Sequence, residues 1–213
     1  WWDTMEQALA ACDGAARIFH NELLDAFPCR VLRWSGGGWE ELHLTRDPGG
    51  PWREVFFPVN EAPESSALRQ EWPGATGLPA EGQRVEVHES AHAWLQGWAP
   101  QWRAGAMLTI DYGAHFPGIY HRRPQGTLRA YLRHQRLTGP AVYENAGHQD
   151  ITADINFTDI NQWTAQLGWS VARDEVMSEF LSRHGARPRT ATDRQLLESG
   201  AAEAFRVIEH RPG

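Results

Sequence analysis

Four carboxylates stand where apolar segments end. Glu22 and Asp25 lie in Asn21-Glu22-Leu23-Leu24-Asp25-Ala26-Phe27-Pro28, Asp111 in Ile110-Asp111-Tyr112-Gly113, and Asp150 in Asp150-Ile151-Thr152-Ala153. In open α/β sheets ligands bind beyond the carboxyl ends of the strands, so polar groups at such ends are candidates for chemistry. Converging acids suit a cationic substrate, because a guanidinium presents paired N–H donors that carboxylates grip bidentately. A carboxylate so placed can also accept a proton lost in the reaction. Each acid taken alone is more often a helix N-cap or a solvated group.

A second pattern is sharper by formula. His88-Glu89-Ser90-Ala91-His92 matches H-E-x-x-H, two imidazoles one helical turn apart with an acid that activates zinc-bound water. Glu86 just before it is unusual for such a helix, and no third ligand follows at a characteristic spacing. No G-x-G-x-x-G occurs, and Gly36-Gly37-Gly38 lies between two Trp-bearing segments as hairpin chemistry. Without a G-x-S-x-G elbow a serine hydrolase has no support either.

The elements that must position these residues read as follows. Residues 4–12 form a helix before a strand at Ala16–His20. Val31–Trp34 and Trp39–Leu44 alternate around the glycines as a β-hairpin, with a further strand at Arg53–Val59. Glu61–Gly82 is a loop with one helical turn, and a helix spans about Glu86–Trp102 with Ala91, Trp94, Leu95 and Trp98 on one face. The strand ending at Asp111 precedes a loop, then strand-like Thr127–Leu132. A helix at Ile155–Leu167, a short strand at Trp169–Ala172, helices near 174–184 and 192–199, and a last strand at Ala204–Ile208 complete the chain. Strands alternating with helices make the class α/β, with closing strands that can be antiparallel.

The 213 residues, 41% of them apolar, suffice for a core. Twenty basic residues against 27 acidic ones give a net charge of −7, and no basic run interleaves with aromatics, which argues against nucleic acid. Cys12 and Cys29 form no C-x-x-C pair and fit reduced thiols. Nothing apolar is long enough to span a membrane. The chain opens on Trp1-Trp2-Asp3 and reads as beginning within a domain.

Taken in order, Asn21–Pro28, Ile110–Gly113, Gln125-Gly126-Thr127-Leu128-Arg129-Ala130-Tyr131 with His134, and Asp150–Ala153 resemble the MidA-like S-adenosylmethionine-dependent methyltransferases. This is the family of the mitochondrial complex I assembly methyltransferase, which acts on protein arginine. The resemblance runs from about Trp2 to Val207. It departs at Asp154 and Asn156, where the family usually carries His and Asp.

The resemblance implies an α/β fold, the C-terminal part of a Rossmann-like class I methyltransferase, with a β-hairpin insertion and antiparallel closing strands. Residues 1–213 are then one portion of a single domain, and the cofactor's glycine loop lies before Trp1. The isolated chain is expected to bind S-adenosylmethionine weakly and to be inactive. Glu22 and Asp25, with Asn21, would orient the guanidinium, Glu22 foremost. Asp111, Tyr112, Gly113, Arg129, His134, Asp150 and Thr152 would line the cleft. The implied partner is a substrate protein, with a respiratory complex I subunit as one kind of target, in the cytoplasm of a bacterium or the mitochondrial matrix of a eukaryote. Two other readings stand beside it: a non-catalytic interaction module built on the chain's eleven Trp, and a zinc hydrolase through His88, Glu89 and His92.

Overall fold

The computed structural model describes residues 1–185, 187–198 and 200–213. Its strands are β1 Ala15–Asn21, β2 Arg30–Ser35, β3 Gly38–Thr45, β4 Arg53–Pro58, β5 Arg84–Val87, β6 Ala104–Ala114, β7 Arg129–Leu132, β8 Gln135–Leu137, β9 Asp150–Thr152, β10 Ile155–Asn156, β11 Ser170–Val176 and β12 Phe205–Arg211. The helices are α1 Met5–Ala10, α2 Ser66–Arg69, α3 Glu89–Trp98, α4 Phe157–Gln166, α5 Met177–Arg183, α6 Ala191–Glu198 and α7 Ala201–Ala204. They fall into two compact units, one made of Trp1–Leu24, Ala91–Ala114 and Phe157–Gly213, the other of Asp25–Ser90 and His115–Asn156.

The first unit is built on a sheet in the order β1-β6-β12-β11. β1 and β6 are parallel, with Asn21 opposite Ile110, whereas β12 runs antiparallel to both β6 and β11. The expected mixture of α/β elements with antiparallel closing strands is therefore present. At Gly105 a side chain is impossible, since a Cβ there would lie 1.9 Å from the Ala16 carbonyl oxygen and φ is +123°. The core gathers Leu9 of α1, Leu95 and Trp98 of α3, and Trp102, Met107 and Trp169. Ala91, Leu95 and Trp98 recur at helical spacing and are all fully buried, so one face of α3 points inward. Against alanine, a buried indole such as that of Trp98 is worth about 3–5 kcal/mol.

The second unit holds two antiparallel sheets, β4-β3-β2-β5 and β8-β7-β9. The expected hairpin is present as β2–β3, turning through Gly36 (φ +58°) and Gly37 (φ +87°), with Trp34 packed edge-on against Trp39 at 5.3 Å. It grows into a four-stranded sheet because β4 and β5 pair on its two sides.

The structure corrects two boundaries. The helix expected from Glu86 begins at Glu89, because Val85 and Val87 alternate as buried strand residues that pair with β2. Residues 174–176, expected to be helical, extend β11 and pair with β12. Ser199, the end of the last expected helix, lies outside the described residues.

Candidate active site

In the first unit, the parallel pair β1 and β6 ends in the predicted residues. Asn21 closes β1, and the Glu22 amide donates to the Ile110 carbonyl at 2.9 Å, the last rung between the strands. Glu22 then takes φ +50°, a left-handed conformation uncommon for a residue other than glycine. Its side chain is exposed, and Oε1 accepts a hydrogen bond from Asn21 Nδ2 at 3.1 Å.

Asp111 has a different place from the cleft-lining one expected. It is fully buried, and its carboxylate accepts from the Leu24 amide at 2.9 Å through Oδ2 and from the Tyr112 amide at 2.9 Å through Oδ1. It therefore ties the segment after Glu22 to the end of β6, the work of an anion satisfying backbone donors. Tyr112 stacks on Phe205 with ring centroids 4.0 Å apart, and Gly113 follows at φ +145°.

Asp25 and Thr152 come together in the second unit. The Thr152 hydroxyl donates to Asp25 Oδ2 at 2.6 Å, and both residues are buried. They line a cavity of ≈ 440 Å³ whose other walls include Phe27, Leu42, Leu44, Leu128 and Ile151. The remaining acid on this wall, Glu41, is gripped bidentately by Arg30 at 2.8 and 2.7 Å, and Arg30 also donates to Glu89 at 3.0 Å. That bond to Arg30 holds the Glu41 carboxyl below its ordinary range. Burial, and next the Glu86 carboxyl, push the Cys29 thiol up to about 12, so this cavity-lining cysteine is a thiol at neutral pH.

The other predicted residues scatter. Arg129 is buried and bonded to Asp154 at 2.5 Å, which takes its guanidinium out of any cleft. His134, at φ +67°, is exposed in the tight turn between β7 and β8. Asp150 lies exposed on β9 opposite Tyr131. Sequence reasoning missed Glu86 and Thr127. It treated Glu86 only as an obstacle to a zinc helix, whereas the structure buries it against Thr127 and Leu128. The alternation Val85-Glu86-Val87 carried a signal, since a strand buried on both faces must find partners for a charge.

The two residues of the zinc pattern have other surroundings. His88 precedes α3 and is buried, while His92 lies flat on Trp163 at 4.6 Å and exchanges a 3.1 Å hydrogen bond with Gln96. Among the described residues no group of three or more His, Cys, Asp or Glu is placed to hold a metal ion. Of the tryptophans, Trp98, Trp102, Trp163 and Trp169 are buried, and only Trp1 and Trp2 stand among the exposed large hydrophobic residues described. No helix among the described residues is long and apolar enough to cross a membrane.

A family model for S-adenosyl-L-methionine-dependent methyltransferases matches residues 1–174. Among curated proteins the chain is similar to the mitochondrial protein arginine methyltransferase NDUFAF7 of Xenopus tropicalis, 27% identical over 169 residues, covering 78% of this chain and 35% of that protein. Two crystal structures of Burkholderia thailandensis proteins are also similar. One, bound to S-adenosyl-homocysteine, has a TM-score of 0.76 and 29% identity, over 92% of this chain and 53% of that one. The other has a TM-score of 0.74 and 28% identity, over 92% of this chain and 55% of that one. The chain thus spans about a third of the curated relative's length and about half of each solved relative's.

Proposed function

The chain belongs to the S-adenosyl-L-methionine-dependent methyltransferase family, and from that premise we propose that it supplies the acceptor side of a protein-arginine methyltransferase. The family and the S-adenosyl-homocysteine in the Burkholderia relative support the cofactor. The activity named for the frog relative supports arginine. We read residues 1–213 as the C-terminal portion of one Rossmann-like methyltransferase domain; that the chain is a portion is supported by solved relatives about twice as long as the part matched, and that it is the C-terminal one by the order of the motifs that resemble the family. A respiratory complex I subunit is the proposed kind of target, in the bacterial cytoplasm or the mitochondrial matrix according to the organism.

The observation that carries this reading is Glu22, exposed and left-handed at the carboxyl end of a parallel strand pair. When bound, the cofactor supplies an electrophilic methyl group on a cationic sulfonium. Asn21 and Glu22 are polar groups at that strand end that fit the cationic guanidinium of the acceptor, while no glycine-rich cofactor loop occurs in the sequence. The chain's own work is positioning, which can lower a barrier by roughly 7–11 kcal/mol when reacting atoms are held in line. Asn21 aims the Glu22 carboxylate through Oε1, leaving Oε2 to grip a guanidinium N–H and accept the proton that nitrogen loses. Asp25 is the second candidate, a buried carboxylate in an apolar cavity suited to an alkyl stem with a cationic head.

The test is methyl transfer by the complete protein from labelled S-adenosylmethionine to an arginine-containing peptide, followed by amino-acid analysis. Methylarginine is expected, lost in Glu22→Gln. Label on lysine, or no transfer despite cofactor binding, would refute the arginine reading.

A further inference from the structure

Glu86 sits on β5 with 1% of its surface exposed, yet it makes no ion pair among the described residues. Its carboxyl is instead satisfied by one short loop. Oε1 accepts from the Thr127 amide at 2.8 Å and from the Leu128 amide at 3.1 Å, and Oε2 accepts from the Thr127 hydroxyl at 2.9 Å. The fit leaves no room for a side chain at residue 126. A Cβ on Gly126, at φ +74°, would stand 2.1 Å from Glu86 Oε1. The Glu86 backbone is pinned as well, since its amide donates to Tyr120 Oη at 3.3 Å and its carbonyl accepts from the same hydroxyl at 3.2 Å.

Thr127 passes this rigidity on. While its hydroxyl donates to Glu86, the same oxygen accepts from the Asp154 amide at 3.0 Å. Donor and acceptor roles on one hydroxyl form a hydrogen-bond chain in which each bond strengthens the next. Asp154 is two residues from Thr152, whose hydroxyl meets Asp25 Oδ2 at 2.6 Å, and the Ala153 amide between them reaches the Asp25 carbonyl at 3.4 Å. The same loop opens into β7, where Arg129 pairs with Thr152 across the ladder and bonds Asp154. Every residue of this path belongs to the second unit.

We propose that Glu86, acting through Thr127 and the Asp154 amide, is a positioning residue that sets Thr152 and thereby the orientation of the Asp25 carboxylate in its cavity. The path explains why a carboxyl is retained at a fully buried strand position. Only an acceptor with two oxygens can take two amides and a hydroxyl from the loop at once. Burial holds the Glu86 carboxyl above its ordinary range, against the hydrogen bonds from Thr127 and Leu128 that favour its ionised form. The inference rests on reading Asp25 as an acceptor-binding group for its consequence in catalysis, but the geometry it asserts can be measured without any reaction.

The measurement is carbon-detected NMR of side-chain carboxyls in the complete protein labelled at aspartate, with Asp25 assigned by the signal lost in Asp25→Asn. Thr127→Val keeps the shape of the side chain and removes the hydroxyl that joins Glu86 to Asp154. It is expected to move the Asp25 signal, while that of Asp47 on the exposed surface stays put and Thr127→Ser restores it. Glu86→Gln, which keeps one acceptor and turns the other oxygen into a donor, should move the Asp25 signal in the same direction. An Asp25 signal unmoved in a folded Thr127→Val chain would overturn the proposal. In the complete enzyme, Thr127→Val should lower kcat about 10- to 100-fold at unchanged cofactor affinity, the scale of a misplacement of about 1 Å. It should add nothing in an Asp25→Asn background. If the Asp25 signal moves but neither Asp25→Asn nor Thr127→Val alters turnover, the positioning path stands and the reading of Asp25 as an acceptor group falls.

Discussion

Three buried histidines make the fold sensitive to mild acid. His20, His88 and His210 are 8%, 3% and 0% exposed. His20 bonds Thr109 at 2.9 Å through Nε2, but its Nδ1, the Nε2 of His88 and both ring nitrogens of His210 find no hydrogen-bond partner among the described residues. Burial lowers each from 6.5 to about 4, helped at His20 by the neighbouring His210. A folded pKa below the unfolded one means that the native state binds fewer protons. Stability is therefore full above the unfolded value and is lost as pH falls toward 4. Between pH 7.5 and pH 5 each histidine should cost about 2 kcal/mol, so the three together cost about 6 kcal/mol, a large share of a typical 5–15 kcal/mol. Glu86 works the other way, because a raised folded pKa stabilises at lower pH. Glu41, Glu54 and Glu175, all lowered, lose their contribution only as pH falls below the carboxylate range. The clean measurement is consequently a difference: urea unfolding followed by Trp fluorescence at both pH values, in the natural chain and in His210→Leu. The variant should lose about 2 kcal/mol less between the two pH values. An identical pH dependence in the two chains would refute the assignment of His210 as a buried neutral group.

Further expectations follow from the site. Glu22→Gln in the complete enzyme should reduce single-turnover methylation by roughly 10²–10⁴ with cofactor affinity nearly unchanged, whereas near-normal turnover would move the catalytic role to Asp25. Asp111→Ala strands the buried amides of Leu24 and Tyr112, and should destabilise the chain by about 2–5 kcal/mol in urea titrations; a loss under about 0.5 kcal/mol would contradict its role as a backbone tie. With His92 stacked on Trp163, stability should be indifferent to chelators, and one zinc per chain, lost in His92→Ala, would reinstate the metal reading.

The strands and their order of appearance were largely legible, because apolar runs ending in Asn21-Glu22 and Asp111-Tyr112-Gly113 carry their own punctuation. So was the placement of Glu22 at a strand end. What could not be read was pairing across long separations. Thr152 reaches Asp25 over 127 residues, and nothing local to either segment announces the contact. Asp150 and Thr152 share one face of β9, yet Asp150 is exposed where the strand begins and Thr152 is buried against Asp25, a difference that alternation cannot announce. Asp111 looked like a cleft acid because sequence does not distinguish a carboxylate that meets a ligand from one that meets backbone amides. The H-E-x-x-H formula carried no information on where its residues fall: β5 runs through Val87 and leaves His88 ahead of the helix.

The position of β12 bears on how such a chain comes off the ribosome. Although it is the last strand in the sequence, it lies inside the sheet, hydrogen-bonded to β6 on one side and β11 on the other. Until Phe205–Arg211 has emerged from the exit tunnel, β6 and β11 have no common neighbour and each exposes an unpaired edge. Closure of the sheet therefore waits for Phe205–Arg211, after the two sheets of the second unit, complete by Thr152, have had time to pair. A chain cut before Phe205 would lack the strand that joins the two sides of the sheet, leaving edges prone to aggregation.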